Sequence, residues 1–165
     1  MRVLVVLVTA LLLLSGCSSS PASIEKPASD QLPDVTLAAL DGGKPLDLGS
    51  LEGPEVVNLW ASWCGPCKRE LPQYAAFAKK YAGKVDVLGI DFQETRPSAA
   101  QDLARKSGVT YPLYKDPDGK LRAVGLPKLI LVDKDDKVTY QEYVEVKTVA
   151  QLEQLVQKHL GVTTP

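Results

Sequence analysis

Histidine occurs once in these 165 residues, as His159. Catalysis by a Ser–His or Cys–His pair needs an imidazole beside its nucleophile, and most zinc centres need several imidazoles or thiolates, so both classes lose their means here. Neither sign of charge dominates: 19 Lys and Arg face 20 Asp and Glu for a net charge of -1. With no basic excess and no long run of one sign, nucleic acid is not an expected partner. The chain has room for one domain with a core, and it carries no internal repeat. Cysteine is scarce too. There are three, Cys17, Cys64 and Cys67, and the last two form the one close pair.

The N-terminus reads as a processing segment. Met1-Arg2 precedes an apolar-to-small run over residues 3–14, followed by Ser15-Gly16-Cys17. That run is shorter than the roughly 20 residues a spanning helix takes, and its charged start and small end match a secretory signal over residues 1–16. Leu14-Ser15-Gly16-Cys17 resembles the lipobox of bacterial lipoproteins, which implies cleavage before Cys17 and a diacylglyceryl group on its sulfur, a membrane anchor of two chains. A cleaved signal without lipid, or an uncleaved anchor, is the plainer alternative. Residues 17–31, rich in Ser, Pro and Ala, cannot bury enough to order themselves and read as a tether. The folded domain is expected over residues 32–165.

Within it, Val35-Thr36-Leu37 and Leu46-Asp47-Leu48 flank the turn Asp41-Gly42-Gly43-Lys44 and predict a hairpin. Residues 56–60, 85–90 and 129–132 read as buried strands, and Lys134-Asp135-Asp136-Lys137 turns into a further strand over residues 138–143. Helices are predicted over residues 64–81, with Pro72 bending it from inside; over 98–106, with Ser98 as N-cap and Gly108 beyond its end; and from Thr148 to Leu160, ending at Gly161. Alternating strands and helices indicate an α/β layered domain.

Trp63-Cys64-Gly65-Pro66-Cys67 follows a predicted buried strand and opens a helix. There the free amides and the helix dipole favour a thiolate at Cys64, and the thiolate is the nucleophile of disulfide exchange. Cys67, one turn on, can attack a mixed disulfide formed at Cys64. Pro66 suits a first turn, where its missing N–H has no partner. A static disulfide across so small a loop would remove little unfolded-chain entropy. Half a zinc site would need two more ligands, with only His159 to spare. No metal and no cofactor is expected.

With these residues in view, the chain resembles the thioredoxin superfamily, and within it the TlpA/ResA-like branch of tethered bacterial thioredoxins. The signposts are Asn58-Leu59-Trp60-Ala61-Ser62-Trp63-Cys64-Gly65-Pro66-Cys67-Lys68-Arg69-Glu70-Leu71-Pro72, then Asp116-Pro117-Asp118-Gly119, then Gly125-Leu126-Pro127 and Val132-Asp133. The resemblance implies a thioredoxin fold, a central mixed β-sheet flanked by helices, with an N-terminal β-hairpin and a central α/β insertion near residues 93–113. It also implies that Pro127 is the cis-proline beside the disulfide, leaving the backbone of Leu126 free to pair with an extended substrate. The stretch from Gly119 to Pro127 is shorter than the family norm, so a helix usual there is expected to be absent. In this branch a glutamate at the position of Glu70 belongs to the site and can shuttle the proton of Cys67; the alternative is a solvated carboxylate that complements the early helix dipole. Asn58 stands where cytoplasmic thioredoxins carry a buried aspartate. Trp63, Gly65 and Pro66 are expected on the docking surface, and Trp60 in the core. Tyr111, Tyr114, Tyr140 and Tyr143 read as sheet residues, and His159 as a residue without chemistry.

Three functions remain to be separated. The first is an extracytoplasmic reductant of disulfides in exported proteins, apocytochrome c being the best-known case in the branch, resupplied by a transmembrane thiol donor of the CcdA/DsbD type. The second is an oxidase that introduces disulfides through the same residues. The third, a copper-binding module of the same fold, lacks its wider cysteine spacing and downstream histidine here. A monomer is expected.

Overall fold

The computed structural model describes residues 30–163, so the expected leader over residues 1–16, Cys17 and nearly all of the expected tether lie outside the described residues. One mixed sheet of seven strands organises the rest. The strands are β1 (Thr36–Ala39), β2 (Leu46–Asp47), β3 (Glu55–Trp60), β4 (Asp86–Phe92), β5 (Leu113–Asp116), β6 (Lys128–Val132) and β7 (Val138–Glu142), in the spatial order β2-β1-β5-β4-β3-β6-β7. β3, β4 and β5 run parallel, while β6 lies antiparallel to β3 and β1 antiparallel to β5. Every residue of β3 is buried, as a central strand covered on both faces requires.

Helices α1 (Gly65–Lys80) and α2 (Pro97–Lys106) make the two crossovers between parallel strands, and α3 (Val149–Leu160) closes the chain. α1 buries Cys67, Glu70, Leu71, Tyr74 and Phe77, spaced by three and four residues as one apolar stripe. Tyr74 and Phe77 pack with Val56, Leu129, Leu152 and Val156 between the sheet and α3. Truncating a fully buried aromatic such as Phe77 to alanine would cost about 3–5 kcal/mol. Pro72 is exposed on an unbroken helix.

The opposite face of the sheet carries no α-helix among the described residues, only the short 3-10 turn Leu48–Ser50. Val57, Leu59, Ile90, Phe92 and Ile130 are covered there by Leu46, Leu48 and Leu51 from the N-terminal hairpin region and by Leu121, Ala123 and Leu126. The last three belong to the segment from Gly119 to Pro127, which forms turns and bends and no helix. Its shortening leaves apolar side chains to do by loop packing what a helix would otherwise do.

Two local expectations need correction. α2 starts one residue earlier than predicted: Arg96 is its N-cap, Pro97 opens it, and no side chain caps it. Ser98 therefore does not cap. The fixed φ of proline at the first position supplies the helix start that a hydroxyl would otherwise supply. Of the four tyrosines read as sheet residues, Tyr114 and Tyr140 lie on β5 and β7, whereas Tyr111 and Tyr143 lie just outside strands. At α3 the signals agree with the structure: Thr148 accepts from Gln151 N, and Gly161 takes the left-handed conformation at φ 69° that glycine adopts without cost.

Candidate active site

The redox pair sits where the three parallel strands end. β3 finishes at Trp60, four residues before Cys64, and the intervening turn places Cys64 at the N-cap of α1. Cys64 and Cys67 are joined as a disulfide with their Cα atoms 5.3 Å apart. Cys64 is 4% exposed and Cys67 fully buried, so only the first sulfur is open to attack from outside. The backbone N–H of Cys67 donates to Cys64 Sγ at 3.2 Å. An amide aimed at this sulfur, at the positive end of a helix, stabilises negative charge on it.

Around the sulfurs the structure brings together residues from four segments. Trp63 is half exposed, and its indole N–H reaches the Gln93 carbonyl at 3.4 Å. The Leu126–Pro127 peptide bond is cis, and Leu126 packs against the cluster that holds Cys64, Cys67 and Leu71. Gly65 is exposed and Pro66 half-buried. Trp63, Gly65, Pro66 and Leu126 thus border the accessible sulfur, and Trp60 lies beneath in the core.

Glu70 is fully buried, one turn beyond Cys67 on the same helix face. Its Oε2 accepts from the Val146 N–H at 3.0 Å, and its Oε1 has no hydrogen-bond partner among the described residues. Burial pushes its pKa up to about 8, opposed by the Val146 amide and assisted by the charge of Glu145. Arg69, next in sequence, is held outward by a bidentate pair with Glu145 at 2.8 and 3.1 Å. Asn58, on β3 beneath the helix, is near enough to bias both Glu70 and Tyr111 toward ionisation. Neither its Oδ1 nor its Nδ2 completes a hydrogen bond, so these groups are neighbours and not a closed network.

A second acid lies at the same end and was not singled out from the sequence. Asp91 is 2% exposed, opposite Trp60 in the β3–β4 register, and its pKa rises to about 7 through burial and then through Glu94. Glu94 in turn accepts from the Ser62 N–H at 2.8 Å and from the Arg96 N–H at 2.8 Å, tying the loop after β4 to the cysteine turn. The one sequence signal for Asp91 was a charge inside an otherwise apolar strand, Val87 to Phe92. His159, on α3, packs at a tilt against Tyr140 with ring centroids 4.6 Å apart and has no part in the site. Among the described residues no group of three or more His, Cys, Asp or Glu is placed to hold a metal.

Comparison with known proteins agrees with this geometry. The family model described as Redoxin matches residues 27–156. The thiol-disulfide oxidoreductase ResA of Bacillus thuringiensis subsp. konkukian is 31% identical over 134 residues, which is 78% of this chain and 76% of the relative. Among solved structures, a secreted thiol-disulfide isomerase from Corynebacterium glutamicum aligns with a TM-score of 0.63 and 27% identity, over 79% of this chain and 84% of that one. A thiol:disulfide interchange protein of the thioredoxin family from Chlorobium tepidum aligns with a TM-score of 0.69 over 83% of this chain and all of the other; at 23% identity it speaks to the fold alone.

Proposed function

This chain belongs to the Redoxin family and is a thiol–disulfide oxidoreductase of thioredoxin type, and from that premise we propose that it reduces disulfides in exported proteins while tethered to a membrane. The observation that carries this reading is the placement of Cys64. It caps a helix, has an amide aimed at its sulfur, and is the more accessible of the pair.

In the reduced protein the Cys64 thiolate attacks one sulfur of a substrate disulfide, forming a mixed disulfide and releasing the other substrate sulfur as a thiolate. Glu70, as carboxylate, takes the proton of Cys67. The Cys67 thiolate then attacks Cys64 Sγ, the Cys64–Cys67 bond forms, and the second substrate sulfur leaves and is protonated. Two electrons pass to the substrate, and a dithiol donor must return them. Trp63, next to Cys64 in the chain, is half exposed, and Leu126, whose bond to Pro127 is cis, packs against the cluster that holds Cys64. This supports docking of an extended segment against Leu126. A carboxylate whose pKa lies near the working pH is suited to take up and return one proton per cycle.

The direction rests on Gly65-Pro66 between the cysteines, as in reducing thioredoxins with potentials of about −270 mV, against about −120 mV for strong oxidants. In an oxidising compartment such a reductant needs electrons from inside. A transmembrane dithiol of the CcdA/DsbD type is the proposed donor, and the haem-attachment cysteines of apocytochrome c are a proposed substrate. The tether reading fits the place where residue 30 meets the sheet. Val138 N donates to Asp30 O, and the register Glu55 to Val132 and Val132 to Val138 puts this contact at the end of the sheet away from Cys64. None of the helices among the described residues is long and apolar enough to cross a membrane.

Equilibration of the protein with glutathione buffers tests the direction. A potential below about −230 mV supports the reductant, and one above about −180 mV would make the chain an oxidase. Fractionation of cells tests the anchor: the protein should sediment with membranes and become soluble as Cys17→Ala.

A further inference from the structure

A single apolar side chain standing in water is ordinary, whereas several gathered at one place mark a surface that another molecule covers. Among the described residues three large apolar side chains are exposed: Trp63 at 51%, Val124 at 90% and Tyr143 at 48%. All three belong to the end of the sheet where the cysteines sit. Trp63 directly precedes Cys64, at the start of α1. Val124 is two residues before Leu126, in the segment that leads to the cis bond at Pro127. Leu59 pairs with Lys128, and Glu142, just before Tyr143, pairs with Leu129, so Tyr143 stands level with the C-terminal end of β3.

Val124 and Tyr143 are held together. The Val124 N–H donates to Tyr143 Oη at 3.0 Å, so the tyrosine reaches from the end of β7 to the loop before Pro127. Lys128 Nζ lies over the same ring, 5.5 Å from its centroid. These two contacts fix a ring that is still half open to water, and a side chain fixed in advance costs a partner little ordering entropy. Between Val124 and Leu126 the chain is bare. A Cβ added at Gly125 would meet nothing within 4 Å. Among the described residues neither Gly125 nor Leu126 gives its N–H or carbonyl to another backbone group. An extended segment that pairs with this backbone while its cysteine reaches Cys64 therefore runs on over Gly125 to Val124 and Tyr143.

We propose that Val124 and Tyr143 form a ledge that selects the protein substrate, by taking an apolar side chain about two residues along from its reactive cysteine. The inference deepens the disulfide-exchange reading given above and rests on it. The spacing follows from chain geometry. Val124 and Leu126 are two residues apart, and in an extended segment alternate side chains share a face, so a partner lying along this stretch meets both. Main-chain pairing at Leu126 is indifferent to sequence; the side-chain contact at the ledge supplies the choice. That contact is apolar. Val124 offers a hydrocarbon side chain and has already spent its N–H on Tyr143. Glu145, two residues beyond Tyr143, is paired with Arg69.

The test uses the full chain and its Val124→Ser, Tyr143→Ala and Tyr143→Phe variants. The probes are short peptides with one cysteine disulfide-linked to glutathione, carrying leucine or serine at each neighbouring position on either side of that cysteine. At one such position the wild type should favour leucine over serine by about tenfold in kcat/KM, carried by KM, and the ratio should fall to about one in Val124→Ser and Tyr143→Ala. Tyr143→Phe keeps the ring and should keep most of the preference. Equal slowing of both peptides by Tyr143→Ala and Tyr143→Phe would make the tyrosine a brace for the loop and overturn the ledge. Equal use of leucine and serine at every position, or a preference that survives in both Val124→Ser and Tyr143→Ala, overturns it too and leaves disulfide exchange standing. A dimer in sedimentation that Val124→Ser separates would make the patch a face between copies, again against the proposal. Exchange with none of the peptides, from either the reduced or the oxidised protein, would overturn the exchange reading itself, and the ledge with it.

Discussion

The two ends of the central strand β3 are instructive side by side. At its N-terminal end Glu55 is 5% exposed, and its pKa is pushed to about 8 by burial and by Asp86, its partner in the β3–β4 register. Beyond its C-terminal end Glu70 is fully buried with its pKa also at about 8. Each end has a cis X–Pro bond, Gly53–Pro54 at one and Leu126–Pro127 at the other. The titration of a carboxyl is therefore nearly the same at both ends, and the chemistry is not. Only one end carries sulfurs, a helix N-terminus and an accessible apolar rim. A raised pKa marks a place where charge is poorly solvated; it becomes part of a reaction when a nucleophile sits beside it.

That comparison can be broken most severely at the sulfurs. Cys64→Ser should abolish turnover of a disulfide substrate such as insulin, while Glu55→Gln at the other end leaves it within about twofold of wild type. Comparable losses in both would show that the whole fold was being damaged. The carboxylates themselves come next. Glu70→Gln should slow release of reduced substrate by about 100-fold, the lower range for a general base, with the loss read in single-turnover kinetics. A loss of that size from Glu55→Gln would erase the distinction between the ends.

Stability should treat the two ends alike. A carboxyl whose folded pKa lies above its unfolded value stabilises the fold fully below the unfolded pKa, and that stability is lost as pH rises through the folded pKa. For Glu55 and Glu70 the window runs from the ordinary value of 4.5 to about 8. Each should remove up to about 5 kcal/mol across it, seen as a falling urea midpoint. Glu55→Gln and Glu70→Gln should each flatten the slope, and a flat wild-type profile would show that neither acid is buried. The smallest effect lies at the cap of α3, two residues from the Val146 amide that Glu70 accepts. Thr148→Ala should cost about 1 kcal/mol in the urea midpoint and leave the pH profile in place.

Most of the scaffold was legible because its signals are local. Asp41-Gly42-Gly43-Lys44 announced the hairpin, the apolar run at residues 56–60 the central strand, and Thr148 with Gly161 the limits of α3. The turn from Trp63 to Cys67 carried its chemistry in its spacing together with its place between a buried strand and a helix start. What stayed hidden depends on contacts distant in sequence. The burial of Glu55 and Asp91 is set by neighbouring strands, and that of the polar atoms of Asn58, Glu70, Tyr74 and Tyr111 by the packing of separate elements. Ser98 misled because a capping hydroxyl is a strong local sign, while Pro97 beside it already supplied the helix start. The four-residue strand β5 gave too short a pattern to register on its own.

The central claim is that Cys64 attacks and Cys67 resolves. The direct measurement is to mix reduced Cys67→Ser protein with a disulfide-linked peptide and map the adduct by mass spectrometry. The account predicts a stable mixed disulfide on Cys64, absent in the Cys64→Ser variant and resolved at once when Cys67 is present. An adduct on Cys67 in the Cys64→Ser protein, with none on Cys64 in its counterpart, would reverse the roles and contradict it.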